Sequence, residues 1–196
     1  MKLKYILFIC YILLAMASPG YAADALTDIP LVWKPTSNLP KLETRTLSGI
    51  YLKKIRILPF TDKRENKNEI GRNFEHDINM AVTTKDDVAA WCTDKFKTIL
   101  GQYGLNIVES KEEVILKGEI LQFYVIEKST YKSDVGFKII AESPSGTILW
   151  QGITGGRATR FGRSYSEDNY YEALSNAYLE AIQGLLESRE FIESLK

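Results

Sequence analysis

Cysteine and histidine are nearly missing from this chain: its 196 residues include two cysteines and one histidine. Cys10 lies in an N-terminal apolar stretch, so removal of that stretch leaves Cys92 as the sole thiol. An internal disulfide is then excluded, and stability has to come from a packed core. The lone His76 has no HExxH or paired-ligand spacing around it, so no metal site and no cofactor is expected. Neither charge is in excess, with 25 basic and 25 acidic residues, and without Lys2 and Lys4 the basic residues drop to 23. With no surplus of cations to neutralise phosphates, nucleic acid is not an expected partner. Internal repeats and low-complexity segments are also missing.

What stands at the N-terminus has the three parts of an export signal. Lys2 and Lys4 give a positive start, Tyr5–Ala17 is apolar, and Gly20 and Ala22 are small residues placed for a cut before Ala23. The apolar part falls short of the ~20 residues that a membrane span needs, and Pro19 and Gly20 break a helix before the cut. Residues 1–22 are therefore expected to be a signal peptide and the mature protein to be periplasmic. Acylation of Cys10 is not expected, because bulky Phe8 and Ile9 precede it where lipoprotein processing needs small residues.

Residues 23–49 carry Pro30, Pro35 and Pro40 without helical or strand period and read as an extended leader. The rest, residues 50–196, reads as one domain. "IYLKKIRILPF" (Ile50–Phe60) alternates as a strand, while Thr61–Val82 is polar and reads as a long connection. A first helix follows, with Thr84 and Asp87 in the spacing of a capping box, Val88, Cys92, Phe96, Ile99 and Tyr103 as its stripe, and Gly104 as its stop. Four strands come next: Leu105–Val108, then Glu113–Glu127 with a phase shift near Ile120 that predicts a bulge, then Asp134–Glu142 and Thr147–Gly155 around the turn "SPSG". A second helix begins at Ser166 with Tyr170, Leu174, Ala177, Tyr178, Ala181 and Leu185 inward, followed by a helical turn in "REFIESL". The expected fold is α+β, a mainly antiparallel sheet of about five strands with two amphipathic helices on one face, in the order β-α-β-β-β-β-α.

Cys92 sits mid-stripe and reads as a core thiol, inert because burial raises its pKa. "GGRATRFGR" (Gly155–Arg163) lies between strand and helix but lacks the phosphate-loop spacings, and reads as a solvated strand end. Arg157, Arg160 and Arg163, with Tyr165 and Tyr171 on the freer side of the second helix, form the candidate ligand or partner patch, suited to an anionic group such as a lipid headgroup. Asp62, Arg64, Glu75, His76 and Asp77 on the 61–82 segment are the residues an enzyme would have to use. They form no recognisable catalytic constellation, and an enzyme is not expected.

The succession "PFTDKR" (Pro59–Arg64), "IG" (Ile70–Gly71), "DDVAAW" (Asp86–Trp91), "ILKGEILQF" (Ile115–Phe123), "GTILWQG" (Gly146–Gly152) and "LLESREFIESL" (Leu185–Leu195) resembles the YajG-like envelope lipoproteins over roughly residues 50–195. Auxiliary lipoproteins of ABC-type lipid transporters have a similar order of elements. The resemblance implies a cell-envelope protein of unsettled activity. It carries over no catalytic residue. The export signal and the lack of a base, nucleophile or metal cluster give the expectation of a non-enzymatic binding or assembly module, with a lipid-transport accessory as the alternative and an envelope protein or lipid as partner.

Overall fold

The computed structural model describes residues 25–42, 47–75, 79–162 and 164–196. The signal segment with Cys10, the cut before Ala23, and His76, Asp77 and Arg163 lie outside the described residues. Within them the chain forms β1 (Lys54–Ile57), β2 (Thr61–Asp62), β3 (Glu69–Asn73), β4 (Met80–Thr83), α1 (Val88–Gln102), β5 (Asn106–Ile107), β6 (Val114–Glu127), β7 (Thr130–Glu142), β8 (Ile148–Phe161), α2 (Glu167–Glu187) and α3 (Arg189–Ser194).

Strand β6 is the axis of the sheet. Along one edge it takes three short parallel strands end to end: β1 at Val114–Leu116, β2 at Glu119–Ile120 and β3 at Val125–Glu127. Its other edge pairs antiparallel with β7, and β7 with β8. β5 flanks β1 in parallel, and β4 flanks β3 antiparallel. The sheet is thus mixed and has eight strands, in place of the expected mainly antiparallel five. The difference comes from Thr61–Val82, which supplies β2, β3 and β4 in place of the expected connection. A strand as long as β6 presents a row of amides and carbonyls that must be satisfied, and two- to five-residue strands satisfy them without an apolar alternation visible in sequence.

Both long helices lie on the same face of the sheet, as the two stripes predict. Phe60 packs on Phe96 of α1 (5.1 Å between ring centroids) and on Phe137 of β7 (5.8 Å), and Phe137 packs on Tyr178 of α2 (5.2 Å). Each fully buried aromatic of this chain contributes roughly 1.5–3 kcal/mol. The bulge falls where expected, as the register of β6 on β7 shifts between Ile120 and Gln122. Before it Val114, Leu116, Gly118 and Ile120 point inward, and after it Phe123, Val125 and Glu127 do. One cap differs from the sequence reading. Asp87, not Thr84, is the N-cap of α1 and accepts the Ala90 amide, while buried Thr84 accepts the amide of Asp86 and gives its own to Asn68.

β8 runs six residues beyond its expected end at Gly155, through Phe161. Its last half lacks large apolar side chains on the helix face because α2 lies almost on the backbone there. A Cβ built on Gly156 would stand 2.1 Å from the Ala177 carbonyl oxygen and 2.4 Å from the Ala181 nitrogen. Sheet hydroxyls exploit this closeness, Ser133 donating to the Ala173 carbonyl (2.7 Å) and Thr154 to that of Ala181 (2.6 Å).

Candidate functional site

The arginine–tyrosine patch is divided by the strand that carries it. Arg157 and Arg160 are three residues apart on β8, so they point to opposite faces of the sheet. Arg157 meets Asp134 on the solvent face (2.7 Å) and its amide donates to Glu180. Arg160 meets Glu172 of α2 on the helix face. Tyr165 accepts the Leu26 amide (2.9 Å). Tyr171, expected on the freer side of the helix, is buried, with its hydroxyl on Glu167 (3.1 Å). The described members therefore do not converge on one ligand position.

The 61–82 segment is held by Arg64, whose side chain is 7 % exposed. All five of its side-chain N–H donors are used: two on Asp62 (3.0 and 2.8 Å), and one each on the carbonyls of Glu69, Phe123 and Lys67. One guanidinium thereby ties β2, β3 and β6 together, and Asp62 is its counter-ion. An open cleft of about 300 Å³ beside it is lined by Asn66, Glu69 and Tyr124 among others. There Glu69 accepts from Arg72 through two donors and from Tyr124 and Asn66. These side chains brace the sheet edge.

A buried carboxyl sits at the end of β6. Glu127 has no solvent exposure and faces the hydroxyls of Tyr131 and Tyr170, the latter at 2.8 Å. Burial holds its pKa above the ordinary carboxylate value. Proton counting agrees: the single Tyr131 proton faces both Glu127 and the Ser164 carbonyl at 2.5 Å. A protonated Glu127 donating to Tyr131 frees that proton for Ser164, while Tyr170 donates to the other carboxyl oxygen.

The groove between α1 and α2 is filled by the leader, which crosses it as an extended strap. The strap begins on the sheet edge, where Thr83 of β4 bonds Leu26 and Ile29 through the main chain. It then passes the start of α1, where the Leu31 amide donates to Asp86 (2.7 Å) and the Trp91 indole donates to the Leu31 carbonyl (3.1 Å). On α2 the Lys34 amide donates to Ser175 (2.9 Å) and the Thr36 amide to Asn176 (3.0 Å). Trp33 inserts against Trp91 and Tyr178, 5.9 Å from each ring. The Lys34 ammonium lies 2.9 Å from Asp168 and 3.5 Å from Glu172. At the far end Tyr103 donates to the Pro40 carbonyl (2.9 Å). From sequence this segment reads only as a leader. The signal for its docking is Ile29, Leu31 and Trp33, apolar residues set among prolines that keep the chain extended and remove its amides.

No family model matches the chain, and no curated protein does. The fold is shared with a solved structure. A Xanthomonas campestris protein described by the family model DUF330 superposes with a TM-score of 0.53 at 9% identity, over 87% of this chain and 95% of that one. PelC of Paraburkholderia phytofirmans, solved as a dodecamer, gives 0.41 at 16% identity over 77% and 93%. A Neisseria meningitidis lipoprotein gives 0.37 at 10% over 57% and 88%. At these identities the first likeness speaks for the fold alone, and the other two are too loose to argue from.

Proposed function

We propose that this chain is an exported protein of the bacterial cell envelope, periplasmic after removal of its signal peptide, that works as a non-enzymatic binding or assembly module. The observation that carries this reading is the N-terminal signal, with Lys2 and Lys4, the apolar Tyr5–Ala17 and the small residues Gly20 and Ala22. The YajG-like succession of motifs supports it. Of the residues a catalyst would use on the 61–82 segment, Asp62 and Arg64 are engaged with each other, and the buried Glu127 is engaged with two tyrosines. Service as a lipid-transport accessory is the alternative, and it needs the strap to leave the groove between the helices. Expression of the whole chain in a Gram-negative host, followed by osmotic release and intact mass, tests the proposal. A released protein beginning near Ala23 without an acyl chain is expected. Retention in the cytoplasm with residues 1–22 attached overturns export, and a lipid-sized mass excess overturns the unacylated form.

A further inference from the structure

We propose that the groove between α1 and α2 is a docking site for an extended polypeptide segment of a partner protein, and that the strap is its resident occupant. This deepens the binding-module reading and rests on it. The groove recognises the strap mainly through its backbone: Asp86, Ser175 and Asn176 each accept a main-chain amide. The three amides, of Leu31, Lys34 and Thr36, belong to the main chain, so these contacts select the path of the backbone and not the side chains. Selectivity comes from two adjacent positions. An aromatic ring fits against Trp91 and Tyr178, and a cation follows it onto Asp168 and Glu172. The ligand class is thus an extended peptide with an aromatic residue followed by a basic one, which Trp33–Lys34 supplies in the resting chain.

The strap is attached in a way that lets it leave. Among the described residues, its main-chain pairing to the sheet is confined to Thr83. Pro30, Pro35 and Pro40 have no amide to give, and of its apolar side chains only Ile29 is buried, while Leu26, Leu31, Trp33 and Leu39 are partly so. A segment held by few buried contacts opens locally without global unfolding. A competing peptide binds the open fraction only, so its apparent dissociation constant is raised by the inverse of that fraction.

A labelled peptide of residues 25–42, titrated into the mature protein, tests this by fluorescence polarisation. Trp33→Ala in the protein weakens the resident strap and is expected to tighten peptide binding by about tenfold. The same change in the peptide is expected to weaken binding by about as much. A Trp33→Ala protein with an unchanged circular dichroism spectrum that binds no better than the unaltered one overturns the proposal. So does a peptide indifferent to its tryptophan. Native-state hydrogen exchange on the unaltered protein gives a second reading that needs no variant. The amides of Leu31, Lys34 and Thr36 should exchange through a denaturant-independent opening, faster than those of β6 and β7, and exchange in step with the sheet overturns it. Light scattering of the same samples that finds a strap-swapped dimer, dissociated by the peptide, assigns the groove to a second copy and overturns the partner-protein role. None of these measurements depends on export, so failure here and failure of the envelope reading are separable.

Discussion

Glu127 and Cys92 are buried reactive groups whose behaviour follows from their neighbours. Because burial raises the Glu127 pKa in the folded state, the folded chain binds that proton more tightly than the unfolded chain. Its contribution to stability is fully present below the unfolded carboxylate pKa, and it is lost as pH rises from there through the raised folded value. Glu127→Gln keeps the geometry, with its amide donating to Tyr131 and its carbonyl accepting from Tyr170. Chemical denaturation at several pH values should show the variant free of this loss, and so gaining on the parent as pH rises. Glu127→Leu leaves the buried Tyr170 hydroxyl without an acceptor and should cost about 1–3 kcal/mol. For Cys92, fully buried and with its thiol pKa pushed up by burial, thiol reagents should label the native protein slowly and the unfolded protein fast. Cys92→Ser should destabilise by about 1–3 kcal/mol, because a hydroxyl there has no assured partner. Cys92→Ala should be milder. Rapid native labelling would contradict the buried position.

At the level of elements, α2 meets β8 at Gly156 with less room than any other described glycine has. Gly156→Ala sets a methyl against helix backbone on two sides, and overpacking of this kind costs about 1–3 kcal/mol or more. A methyl at Gly101, near the end of α1, would meet nothing within 4 Å, so Gly101→Ala should stabilise by about 0.5–1 kcal/mol through helix propensity. Opposite shifts of the two denaturation midpoints are the expected result, and equal shifts would place α2 elsewhere. Sequence made some of these elements readable and hid others. α1 and α2 announce themselves because their buried stripes recur every three or four residues over fifteen residues or more. The β6 bulge is readable because its alternation changes phase with apolar residues on both sides of Ile120. β3 hides because its inward positions include Gly71 and Asn73, and the former is small because the Tyr170 ring lies over it. The far half of β8 hides for the same reason, with Gly156 and Ala158 where larger apolar residues would otherwise have stood. The strap hides because its docking relies on side-chain bonds to main-chain amides, which leave no period in the sequence. Of the candidate patch, Arg157 and Arg160 lie past the strand end that the apolar pattern marks at Gly155, so their opposite faces are not legible in the sequence.

For the molecule as a whole, the order of synthesis matters. Strands β1, β2 and β3 come early in the chain, yet each pairs with β6, as in Ile55 with Val114 and Gly71 with Val125. The strap reaches further still, since the Lys34 amide finds Ser175 across 141 residues of sequence. The first third of a nascent chain therefore has no partner strand to close on, and contacts this distant in sequence slow folding once the chain is complete. For the export proposed above, that delay is an advantage. Translocation would then have time to begin while the leading segment is still a thread, and α2, among the last elements to emerge, is the one that holds the strap in place.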